Sequence, residues 1–178
     1  MRRLNLWFLR ALKSTSTRDR ARMLPEFVVR PFQSGDAPAV SALIATTMRQ
    51  SNARDYPIDR LEALIAYFTP DKLRALAEER DCLVAVAARA VIGTAARDGD
   101  ELVTFFVHPA WQRQGVGTQL LMQIERQARA LGMATLRVEA STTGTSFYEH
   151  HGYRRSGAVR TGSAGPQIEL TKHLDTPG

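Results

Sequence analysis

Residues 82–107 hold three runs of strand-forming residues with so little chain between them that only tight turns can join them. The runs are Cys82 to Ala87, Val91 to Ala96 and Leu102 to Val107. Asp98-Gly99 lies between the second and the third, and glycine there tolerates the positive φ that a short hairpin demands. An antiparallel meander is therefore expected. A helix-periodic stretch from Gly117 to Leu131 follows, with Leu120, Leu121, Ile124, Ala128 and Leu131 recurring at helical spacing and Gly132 as its stop.

The flanking segments complete the pattern. Phe27-Val28-Val29-Arg30 reads as a strand closed by Pro31. Asp36 can cap a helix carrying Val40, Leu43, Ile44 and Met48, and Asp59 can cap a second with Leu61, Leu64, Ile65 and Phe68. Pro70-Asp71 opens a third with Leu73 and Leu76. After the long helix come a strand at Thr135 to Ala140, a short helix near Thr145 to His151 stopped by Gly152, and two strands, Arg154 to Arg160 and Gln167 to Thr171. Early helices, a meander, then strand-helix-strand-helix-strand describe one α/β domain over 26–174, a mixed central sheet with helices on both faces. A chain of 178 residues can bury one good core of this kind.

Charge narrows the range of partners. The net charge is +6, but residues 1–25 carry seven Arg or Lys against one Asp, leaving 17 bases and 17 acids in the remainder. A neutral body gives no basic face for a phosphate backbone, and no nucleic-acid partner is expected. Three readings of the basic leader stand side by side: an amphipathic surface helix with Leu4, Trp7, Phe8, Ala11 and Leu12 on one face, a transit peptide, or an upstream extension with Met23 as the start. A tail without function is the fourth. No apolar run reaches the ~18 residues of a spanning helix. The single cysteine, Cys82, excludes an internal disulfide and suits a reducing cytoplasm; within its apolar run it reads as a buried, inert thiol.

Chemistry concentrates in Val107-His108-Pro109-Ala110-Trp111-Gln112-Arg113-Gln114-Gly115-Val116-Gly117-Thr118, between a strand and the long helix. Gly115 and Gly117 let a ligand approach the backbone, and the helix start aims free N–H groups and positive dipole at the same point. A diphosphate suits such a loop. No Lys-Ser/Thr pair follows the glycines, as a P-loop requires, and position 120 is leucine where a dinucleotide fingerprint needs its third glycine.

This segment resembles the GNAT superfamily of acetyl-CoA-dependent N-acyltransferases, whose signature Gln/Arg-x-x-Gly-x-Gly/Ala after a Val-x-Pro strand end is matched by Gln112, Gly115 and Gly117. The later run Phe147-Tyr148-Glu149-His150-His151-Gly152-Tyr153 is similar to the family's Phe-Tyr-Glu-x-x-Gly-Phe/Tyr segment. The resemblance implies that amides from Arg113, Gln114, Gly115, Val116, Gly117 and Thr118 hold the CoA pyrophosphate. It implies too that the main chain of Phe105, Phe106 and Val107 pairs with the pantetheine arm, and that Tyr148 protonates the departing thiolate. A phenol is neutral at pH 7 and reasonably matched to a thiol, so the last role is chemically sound.

Two positions depart from the family pattern. Ser141 stands where many relatives have asparagine near CoA, and it can hydrogen-bond the ligand or cap the helix. Leu136 stands where some relatives have a glutamate base, leaving Glu101, Glu139 and His108 as candidates beside simple loss of the ammonium proton to water. His150 and His151 read as helix-surface residues without partners at metal-ligand spacing, so no metal is expected. The implied activity is acetyl transfer from acetyl-CoA to a primary amine, small-molecule or peptide, by direct attack in a ternary complex, with backbone amides near Val107 holding the oxyanion. Acceptor contacts are expected from Met48 to Phe68 and Ser156 to Pro166. The alternative is a non-catalytic acyl-CoA-binding sensor domain, against which the presence of Tyr148 speaks. Pairing into a homodimer is left open.

Overall fold

The computed structural model describes residues 26–157, 160–162 and 165–174. The leader, and with it every reading of residues 1–25, lies outside them. Strands are β1 (Val28–Pro31), β2 (Asp81–Ala87), β3 (Ala90–Asp98), β4 (Glu101–Val107), β5 (Thr135–Ser141), β6 (Arg154–Arg155), β7 (Arg160–Gly162) and β8 (Gly165–His173). Helices are α1 (Ala37–Ser51), α2 (Ile58–Tyr67), α3 (Pro70–Glu79), α4 (Val116–Ala130) and α5 (Thr145–His150). The sheet runs β1-β2-β3-β4-β5-β8-β6, with β7 folded onto β8. All neighbouring pairs are antiparallel except β4 and β5, which are parallel and joined through α4. The fold is the expected mixed α/β sheet.

Period-two alternation assigns each strand residue to a face. On β2, Leu83, Ala85 and Ala87 enter the core under α4, while Val84 and Val86 enter the core under α1, α2 and α3. Leu120, Leu121 and Ile124 of α4 are fully buried against the first face, each contributing about 1.5–3 kcal/mol over exposure. The long helix can lie this close because position 93 of β3 is glycine: a Cβ there would come within 2.9 Å of Leu120 Cδ1 and 3.0 Å of Val116 Cγ1.

The β3–β4 hairpin turns at Gly99, with φ +57°, as the Asp98-Gly99 pair predicts. Arg97, 4% exposed, ties this turn to β2 by donating to the Gly99 carbonyl and to the Asp81 carboxylate. Three local expectations are revised. Asp36 does not cap α1 with its side chain, because its carboxylate is taken by Arg30 at 2.7 and 2.8 Å and by the Gln33 amide. Asp59 sits within the first turn of α2, which Pro57 precedes, and Thr69 caps α3 by accepting from the Lys72 amide. The strand expected over Arg154 to Arg160 is two pieces, β6 and β7, both pairing with β8.

Candidate active site

The site begins as a defect in the sheet. Between the pairs Thr94–Phe106 and Ala96–Val103, one β3 residue, Ala95, faces two β4 residues, Thr104 and Phe105. Thr104 adopts φ +44°, the positive value of a bulge. The extra residue resets the alternation, so Leu102, Phe105 and Val107 all face α4 while Phe106 faces α1. It also bends β4 away from β5. The two strands pair only at Glu101–Arg137 and Leu102–Val138, then part.

A cleft of about 810 Å³ occupies the parting, within the usual range for ligand sites. Its walls are the end of α1, the split strands β4 and β5, the start of α4 and the α5 segment. The His108 amide donates to Ile92 O, so by two-residue alternation Phe106 also faces β3, and the amide groups of Phe105 and Val107 turn toward the cleft. Val107 O is already occupied: Gln112 Nε2 donates to it at 3.2 Å and to Ser51 Oγ at 3.0 Å. The Gln112 side chain is thus a brace holding the loop to β4 and α1, and Val107 keeps its N–H for a ligand.

At the α4 start, Arg113 (φ +60°) and Gly115 (φ +84°) take left-handed conformations that turn the loop sharply into the helix. The first-turn N–H groups of Val116, Gly117 and Thr118 have no acceptor within the helix. A Cβ at Gly115 would meet nothing within 4 Å, so the loop faces open space. Gly117 has a different task from the one its motif suggests. A Cβ there would stand 3.2 and 3.3 Å from the Phe147 ring and 3.6 Å from Val107, so this glycine lets α4 close onto the cleft wall.

Tyr148 stands opposite, on α5, only 6% exposed yet lining the cleft. Its ring is held by Phe105, Phe147 and Tyr153 at 5.8, 5.1 and 5.6 Å between centroids. The ring also belongs to the core under α4, and its hydroxyl makes no hydrogen bond among the described residues. Burial pushes its pKa well above the ordinary phenol value, so the proton stays on the oxygen across the neutral range.

The family model for the acetyltransferase (GNAT) domain matches residues 52–165. The chain belongs to the GNAT acetyltransferase family. An amino-acid acetyltransferase of Azotobacter vinelandii is 40% identical over 86 residues, covering 48% of this chain and 19% of the relative. The chain thus spans about a fifth of the curated relatives it matches. A GCN5-related N-acetyltransferase from Rhodopseudomonas palustris superposes with TM-score 0.76 and 27% identity, over 83% of this chain and 95% of the other. The paia N-acetyltransferase of Thermoplasma acidophilum, solved with coenzyme A, gives TM-score 0.70 and 19% identity over 83% and 99%.

In this GNAT chain, contacts between distant cleft residues were invisible to sequence motifs. Ser141 Oγ accepts from the Gly144 amide and from Asn52 Nδ2, both at 3.3 Å. Asp55 Oδ2 receives Asn52 Nδ2 and the Thr143 amide, both at 3.4 Å, so the α1–α2 loop is stitched to the β5–α5 turn across the cleft. His151, expected at the helix surface, lines the cleft instead and bonds Thr118. Of the base candidates, His108 is turned to local use, its Nδ1 accepting from the Ala110 amide. Glu101 lines the cleft but is paired with Arg137 at 3.1 Å, and Glu139 also lines it. Of the segment from which acceptor contacts are expected, Met48, Ser51, Asn52, Tyr56, Leu64 and Phe68 line the cleft. Among described residues, 156–166 contributes none of the lining, whereas Gln167 does.

Proposed function

We propose that this GNAT chain is an N-acetyltransferase that moves the acetyl group of acetyl-CoA onto a primary amine by direct attack in a ternary complex. The observation that carries this reading is one continuous cleft joining the free amides at the α4 start to the unpartnered Tyr148 hydroxyl through the parting of β4 and β5. The residues fit the cosubstrate: a row of N–H donors beside open space suits a diphosphate, and an unpaired strand edge suits an amide-bearing arm. Acetyl-CoA supplies the activated thioester.

The chain's own groups do the rest. Amides from Arg113 to Thr118 anchor the diphosphate, and the Phe105 backbone groups turned off β3 align the arm. The Val107 N–H stands ready for charge developing on the carbonyl oxygen, as a fixed donor that need not reorganise during reaction. Tyr148 delivers its proton to the departing sulfur. The acceptor enters beside Met48, Tyr56, Leu64 and Phe68 and loses its ammonium proton to water. No nucleophilic side chain is required, and Cys82, on β2, is outside the cleft lining. Charge balance among residues outside the leader supports a small-molecule or peptide amine over a nucleic acid.

The test is a thermal-shift comparison of acetyl-CoA, NADH and ATP, followed by an amine panel monitored by thiol release. Acetyl-CoA alone should raise the melting temperature strongly, since a ligand held only by the folded state stabilises it by mass action. Equal shifts with ATP or NADH, or none with acetyl-CoA, would overturn the assignment.

A further inference from the structure

The first turn of α4 and the end of α5 are joined by one imidazole. His151 Nδ1 lies 2.8 Å from the Phe147 carbonyl oxygen, and Nε2 lies 3.0 Å from Thr118 Oγ1. A carbonyl can only accept, so Nδ1 carries a proton, and in the singly protonated ring Nε2 then accepts from the threonine hydroxyl. The direction of both bonds is thereby fixed. Thr118 spends its hydroxyl proton on His151 and keeps its backbone N–H for the cleft.

Packing reinforces the same link. The His151 ring lies 4.5 Å from the Phe147 ring, and Phe147 presses on Gly117, where even a methyl group would come within 3.2 Å. Phe147 directly precedes Tyr148, and their rings are 5.1 Å apart. A path of hydrogen bonds and ring contacts therefore runs from the helix start that offers free amides to the residue that offers a proton.

Resting on the acetyl-CoA reading above, we propose that His151 is a positioning residue: through Thr118 it fixes the distance between the diphosphate-binding turn and the Tyr148 hydroxyl. The anchoring amides belong to the backbone, so loss of the strut leaves CoA affinity nearly intact. What changes is where the sulfur sits relative to the phenol. Reaction rates fall steeply with small misplacements of reacting groups.

The experiment is a double-mutant cycle of His151→Phe, which keeps a ring against Phe147, and Thr118→Val, which keeps the backbone amide. Each single variant should lower kcat by roughly 10-fold while the CoA dissociation constant moves by less than about 3-fold. The double variant should be no slower than either single one, because both remove the same bond. His151→Gln, whose side-chain oxygen can accept from Thr118, should recover part of the rate. Separately, long-range proton–nitrogen spectra of the unaltered protein should place the proton of the singly protonated ring on Nδ1. Multiplying rate losses in the double variant, or a proton on Nε2, would overturn the strut. Failure of the acetyl-CoA reading is distinct: the unaltered protein would not bind CoA, whatever the tautomer. Should His151→Phe fold poorly, the Thr118→Val kinetics and the tautomer decide the matter, an unchanged kcat counting against the proposal.

Discussion

Removing one oxygen atom from Tyr148 should separate catalysis from packing more sharply than any other change in the cleft. Tyr148→Phe retains the contacts with Phe105, Phe147 and Tyr153, and it breaks no hydrogen bond among the described residues because the hydroxyl makes none there. The hydroxyl opens on the cleft and is not among the buried unpartnered atoms, so its loss should change stability by no more than about 1 kcal/mol. At this chain length that is a shift of about 2–4 °C at most in melting temperature. Loss of a general acid should lower turnover by about 10²-fold or more, a barrier increase of about 2.7 kcal/mol. The raised pKa adds a second signature. Tyr148 stays protonated until above the ordinary phenol value near ~10, so the unaltered enzyme should show no alkaline loss of rate from this group below that pH. The assay is steady-state thiol release with an acceptor from the amine panel, beside CoA titration and thermal melts. Full turnover in a well-folded Phe variant would refute the role of the hydroxyl.

Two glycines and a thiol extend the tests. Gly93→Ala forces a methyl group between β3 and α4 and should cost about 1–3 kcal/mol, read as a fall of several degrees in melting temperature, whereas Gly117→Ala displaces the Phe147 ring by a few tenths of an ångström and should impair turnover more than folding. Equal effects of the two on stability would contradict the packing described. Burial raises the half-buried Cys82 thiol from 9.0 to about 11, the neighbouring Arg80 opposing it only in part. At pH 8 its thiolate fraction should be about 10²-fold below that of an unperturbed cysteine, and alkylation by iodoacetamide correspondingly slow. Since that pKa is raised, the group's contribution to stability is intact below pH 9.0 and declines between there and about 11, which alkaline melts of Cys82→Ala against the unaltered chain would register.

Much of this architecture is legible along the chain, because its causes are local. The strand-forming runs Cys82 to Ala87 and Leu102 to Val107, the positive φ available at Gly99, and the helical spacing of Leu120, Leu121, Ile124 and Ala128 each act within a few residues. The motif around Gln112, Gly115 and Gly117 marks a tight turn into a helix start for the same reason. What the sequence leaves undecided is how distant pieces meet. Leu102, Phe105 and Val107 share a face only because a bulge at Thr104 and Phe105 shifts the register, and the same bulge opens β4 from β5. Asn52 reaches Ser141 across 89 positions, and His151 reaches Thr118 across 33. Even Gly117 changes meaning, from a residue that clears room for a diphosphate to one that admits the Phe147 ring. Local preferences select strands, turns and helix ends within a short window, whereas the geometry of the cleft depends on contacts that exist only once the sheet has assembled.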